Sequence, residues 1–94
     1  MPAILIKHKV ADFAVWHKAY QDHGATRTAA GALGSLVCQG EDDPSSVTVV
    51  IEFQSLDQAR VFLASEELAR KMQAAGVLGP PSFEFLSTTR RYPS

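Results

Sequence analysis

The sequence predicts an α+β fold, a ferredoxin-like βαββαβ sandwich in which a four-stranded antiparallel sheet carries its helices on one face. Three observations lead there. Four segments alternate apolar and polar residues with the period of two of a strand, and two intervening segments repeat at three- and four-residue steps. Their order is strand, helix, strand, strand, helix, strand, and it fills 94 residues with almost no linker.

Ala3 to Val10 sets Ile4, Ile6, His8 and Val10 against Leu5, Lys7 and Lys9, which makes it the first strand. Asp12 then supplies an N-cap oxygen, and Phe13, Trp16, Tyr20, Gly24 and Arg27 recur at helical spacing until Gly31 stops the first helix. Leu33 to Gln39 is a short second strand. Gly40 to Ser46 reverses the chain through Asp42, Asp43, Pro44 and Ser45, all turn formers. Val47 to Gln54 is the third strand, opened by the β-branched run Val47-Thr48-Val49-Val50-Ile51. Ser55-Leu56-Asp57-Gln58 is a capping-box pattern that begins the second helix. The apolar phase of Leu56, Ala59, Phe62 and Leu63 slips at Ser65, where Ser65-Glu66-Glu67 reads as a fresh N-cap followed by acids, so this helix should be kinked or in two pieces. Gly76 ends it, Gly79-Pro80-Pro81 predicts an extended turn, and Phe83 to Thr89 alternates again as the fourth strand.

Size and composition narrow the function classes. A chain of 94 residues makes one domain, residues 1–94, with a modest core that a second subunit would enlarge. The 46% hydrophobic and 20% charged content belongs to a folded globule and not to a disordered chain. Nine Lys and Arg are scattered among ten acids for a net charge of -1, so no basic surface for nucleic acid or anionic lipid is expected. The single cysteine, Cys38, excludes an intrachain disulfide and fits a reducing compartment. The apolar run at Met1 to Val10 is broken by Lys7, His8 and Lys9, too short for a membrane span or a leader core, so a cytoplasmic protein is expected.

The most economical strand order is 4-1-3-2, and alternation then sorts the side chains between two faces. Ile4, Ile6, His8, Leu36, Cys38, Val47, Val49, Ile51, Phe53, Phe83 and Phe85 should lie under the helices. Leu5, Lys7, Lys9, Val37, Thr48, Val50, Glu52, Glu84, Leu86 and Thr88 should form the open face, with Lys7 between Glu52 and Glu84. Leu5, Val37, Val50 and Leu86 would then make an apolar patch that a monomer seldom leaves bare, so a homodimer through this face is expected. An ordinary one-sided sheet facing water is the alternative.

Several stretches carry a resemblance. Asp12-Phe13-x-x-Trp16 followed by Tyr20, His23, Arg27 and Gly31, then Phe53-Gln54-Ser55-Leu56-Asp57-Gln58-Ala59, then Gly76-Val77-x-Gly79-Pro80-Pro81, together resemble the dimeric α+β barrel superfamily. The likeness covers nearly the whole chain and looks closest to small antibiotic-biosynthesis-monooxygenase-like and cyclase-like members. It implies sheets paired face to face into a barrel, and a ligand cavity between sheet and helices. It also implies that oxygenation or isomerisation of polyketide-like aromatics without metal or cofactor is open to such a fold.

His8 is the sharpest local anomaly, a titratable group on the apolar face of the first strand. Helix packing should bring Phe13 and Trp16 back toward it, and Phe53 and Phe83 should close the same end, giving an aromatic-walled pocket around a neutral imidazole able to accept a proton. A core histidine bonded to backbone is the plainer reading. Trp16 and Tyr20 share a helical stripe and could hold a flat aromatic ligand, or simply fill the core. His23 and Arg27 continue that stripe. Arg27 could pair an acidic or enolate ligand, but eleven helical residues would place it roughly 16 Å from Trp16, beyond one small substrate. The two polar groups could instead serve the helix C-terminus or the dimer. His17 and His23 do not share a helical face, so metal binding is not expected, and Cys38 reads as a small buried hydrophobe. No nucleophile elbow, phosphate-binding loop, dinucleotide fingerprint or HExxH motif is present.

Two classes of function stay open. One is cofactor-independent oxygenation or isomerisation of an apolar or aromatic molecule, with His8 as proton acceptor and Tyr20 or Arg27 stabilising an oxyanion. The other is a non-catalytic ligand-binding or structural homodimer whose aromatic residues fill the interior.

Overall fold

The computed structural model describes residues 1–94. Four strands, β1 (Ala3–Val10), β2 (Ala32–Gln39), β3 (Ser46–Phe53) and β4 (Val77–Leu86), form one antiparallel sheet. Its order, β2-β3-β1-β4, is the predicted one read from the other edge. The helical segments are α1 (Phe13–Asp22), α2 (Gly24–Ala29), α3 (Leu56–Leu63) and α4 (Glu66–Ala74). The largest fully buried side chains, Phe53, Ile4, Ile51, Val10, Val47 and Val49, all come from the two central strands. Each such burial stabilises by about 1.5–3 kcal/mol, so β1 and β3 anchor the sheet and the edge strands lean on them.

Each helix start has a side-chain cause. Asp12 accepts hydrogen bonds from the N–H groups of Ala14 (2.9 Å) and Val15 (3.4 Å). Ser55 accepts from the Gln58 N–H and donates its hydroxyl to Gln58 Oε1, both at 3.1 Å. Ser65 accepts from the Leu68 N–H at 3.2 Å and begins α4, so the second helical half is in two pieces, as the phase slip at Ser65 predicts. The β2–β3 reversal is tied by Asp43, whose carboxylate accepts from the Ser45 hydroxyl (2.6 Å), the Lys9 ammonium (2.9 Å) and the Ser45 N–H (3.1 Å) and is lowered to about 2 by these bonds.

Five expectations are corrected. The helix expected to run to Gly31 breaks at His23 (φ -96°, ψ 12°), and Gly24, a poor helix former, starts a separate segment. In β2 the faces are exchanged, because a bulge between Ala32 and Gly34 inserts Leu33 and shifts the phase. Val37 therefore stands opposite Val49 on the helix side, while Leu36, opposite Val50, and Cys38, opposite Thr48, lie on the open face and are exposed. Strand β4 starts at Val77, not Phe83, and Gly79-Pro80-Pro81 is a bulge facing His8 rather than a turn; two prolines offer the ladder no N–H, which an edge strand tolerates. Lys7 stands opposite Thr48 and Ser82, and Glu52 is instead held by Thr89 and Arg91 of the C-terminal segment. Phe53 lies at the end of the sheet away from His8, which pairs with Val47.

Candidate functional site

Between the sheet and the helices lies a cavity of about 550 Å³. Its floor is Ile6 and His8 of β1 with Val49 and Ile51 of β3, the inward-facing residues of the central strands. One wall is Trp16, Ala19 and Tyr20 of α1, His23 at the helix break, and Arg27 of α2. The other is Gln58, Val61 and Phe62 of α3 with Leu68, Lys71 and Met72 of α4. Lys71 and Glu67, both of α4 and both lining the cavity, form an ion pair at 3.1 Å.

The helix break changes what one ligand can reach. Instead of standing far beyond Trp16, Arg27 folds back so that its guanidinium carbon lies 3.5 Å from the centre of the Tyr20 ring, and its Nη1 donates to the Tyr20 carbonyl oxygen at 2.6 Å. Tyr20 stacks on Trp16 at 5.1 Å with 22° between planes, and Trp16 meets the His8 ring at 5.5 Å. His8, Trp16, Tyr20 and Arg27 thus form one continuous strip of flat groups, with a base at one end and a cation at the other. The expected separation of Trp16 and Arg27 along a straight helix does not apply.

His8 is buried, with 9% of its surface exposed, and neither Nδ1 nor Nε2 has a hydrogen-bond partner in the protein. The core histidine bonded to backbone is therefore not what this chain builds. Desolvation lowers the imidazole pKa from its ordinary 6.5, which leaves a neutral ring near pH 7. A neutral imidazole has one N–H to donate and one lone pair to accept, and a ligand in this cavity can meet both. Burial also lowers the Arg27 guanidinium from its ordinary value, but an arginine stays charged throughout. No carboxylate pairs with it.

The remaining aromatic residues named from sequence stand outside the lining. Phe13 packs between Trp16 (5.7 Å) and His17 (5.2 Å) as the outer support of the strip. Phe53 is fully buried against Phe62 at 5.4 Å and belongs to the core. Phe83 shares the face of Ile6, but on an edge strand it remains 43% exposed. Sequence reasoning missed Ser35, whose hydroxyl accepts the Tyr20 O–H at 2.8 Å, because the β2 bulge hides its phase. It also missed Leu68 and Met72, although their spacing of four with Ala75 three further on was a readable stripe.

No protein-family model matches the sequence, and no curated protein matches it. Solved structures do. A Bordetella bronchiseptica protein assigned to the antibiotic biosynthesis monooxygenases superposes with a TM-score of 0.78 at 15% identity, covering 95% of this chain and 97% of its own. The cofactor-independent oxygenase SnoaB of Streptomyces nogalater gives 0.76 at 13% identity over 99% and 97%. The ActVA-Orf6 monooxygenase of Streptomyces coelicolor, solved with the ligand nanaomycin D, gives 0.65 at 22% over 99% and 92%. The chain therefore has the fold of the antibiotic-biosynthesis-monooxygenase structures.

Proposed function

We propose that this protein is a cofactor-independent oxygenase of planar, largely apolar aromatic molecules, working as a homodimer. One observation carries the reading: a buried neutral histidine with two unpartnered ring nitrogens in the floor of an apolar cavity. A cavity of about 550 Å³ lies within the range of about 300–1,000 Å³ usual for small-ligand sites. The flat strip beside His8 suits an aromatic body, which stacks on Trp16 and Tyr20. Oxygenase neighbours of the same fold add support.

In this reading His8 takes a proton from an activated C–H of the ligand, and the negative charge that develops on a conjugated oxygen is stabilised by Arg27. Molecular oxygen then adds to the carbon, the proton returns to the peroxide, and water leaves. For anthrone, one molecule and one O₂ give one anthraquinone and one water. The open sheet face supports the dimer: Leu36 (63% exposed) and Leu78 (55%) lie on it with Leu5, Val50 and Leu86.

Oxygen uptake by the purified protein with anthrone tests the proposal. The wild type should consume oxygen above the protein-free rate, and His8→Ala should lose about 10²-fold or more of that increment, the usual worth of a positioned base. Quenching of Trp16 by anthrone with no uptake would identify a binding protein instead.

A further inference from the structure

A second recess of about 220 Å³ lies between α2 and β2, lined by Gly24, Arg27, Thr28, Leu33 and Ser35 among others. It shares Arg27 and Ile51 with the main cavity. Tyr20 faces only the cavity and Ser35 only the recess, and their 2.8 Å hydrogen bond joins the two sides. The partition is thus built of Tyr20, Ser35 and Arg27.

The hydrogen-bonding capacity of these groups indicates what the recess can bind. Arg27 gives one N–H to the Tyr20 carbonyl, and a Cβ placed on Gly24 would come within 3.7 Å of its Nη2, so that nitrogen lies on the recess side. Ser35 accepts from Tyr20 and gives its own proton to no protein group, and accepting that bond makes its hydroxyl a better donor. Thr28 has spent its proton on the Gly24 carbonyl. Two free donors, one of them charged, therefore line the same recess, and no acid pairs with either; of the acids lining the main cavity, Glu67 is tied to Lys71 and Asp57 belongs to α3. A carboxylate matches an arginine with a hydroxyl beside it in both charge and donor count.

We propose that this recess is a carboxylate subsite, so that the ligand joins a planar aromatic body in the cavity to a carboxylate on a short arm that passes Arg27. The inference rests on reading the cavity as an aromatic site, and the test separates the two. Trp16 is the only tryptophan, so its fluorescence reports the cavity alone. The probes are 1-naphthylacetate and its neutral analogue 1-naphthylacetamide. The acetate should bind the wild type about 10-fold more tightly or better, as a charge-assisted contact requires. Ser35→Ala should bring the ratio toward one while leaving the amide's affinity in place, and Arg27→Gln should bring the ratio toward one while changing the affinity of both probes through its lost contact with Tyr20. Equal affinities in the wild type, or a preference that survives both substitutions, would overturn the subsite alone. If neither probe quenches Trp16, the cavity reading falls and the subsite falls with it.

Discussion

At the scale of the residue, His8 exchanges stability for a binding group. Its imidazole protonates less readily in the folded protein than in the unfolded chain, where the pKa is near 6.5. The unfolded state therefore binds more protons as the pH drops, so the His8 contribution is fully favourable above about pH 6.5 and is lost as pH falls below it. His8→Leu should flatten that acid-side decline and raise the melting temperature at pH 5 relative to the wild type, with no loss at pH 7.5, since an apolar side chain there leaves no buried polar group unmet. Thermal unfolding followed by circular dichroism at the two pH values checks this, and an unchanged pH slope would assign the decline elsewhere. His8 was legible because alternation puts it among Ile4, Ile6 and Val10. Ser35 was not, because its face depends on a bulge that no local propensity announces.

At the scale of the element, the caps were legible and the break in the first helix was not. Asp12, Ser55 and Ser65 each accept the N–H bonds that their positions ahead of apolar runs predict. Gly24 fits a continuous helix at a cost of only about 1 kcal/mol, so spacing alone does not show that the chain turns there and swings Arg27 onto Tyr20. Gly31 is more constrained. Its φ of +101° lies in the left-handed region that favours glycine, and a Cβ there would also have to displace the end of the Gln58 side chain, 2.6 Å away. The helix α4 has no buried residue, yet Leu68, Lys71 and Met72 form part of the cavity wall, so its start matters to the site. Ser65→Ala should cost about 1 kcal/mol in urea unfolding and weaken binding of an aromatic probe. Weakened binding at unchanged stability would mean that the Ser65 hydroxyl acts on the ligand directly instead.

At the scale of the whole molecule, strand order and helix side followed from element order, whereas the composition of the open face did not. With Leu36 and Cys38 on that face and Val37 turned inward, the exposed patch is more apolar than the alternation of β2 suggested. On the proposed pairing through this face, Leu36→Lys should shift the protein toward monomer in sedimentation velocity without lowering its helix content, and an unchanged distribution would count against that pairing. In the interior, neither nitrogen of the His8 ring has a protein partner, which leaves both for a flat ligand to meet. Nitrogen NMR of the labelled histidines, recorded without oxygen while anthrone is added, tests this most directly. A His8 ring nitrogen should shift as it gains a hydrogen bond, in step with quenching of Trp16. His8 nitrogens that stay fixed while Trp16 is quenched would contradict it.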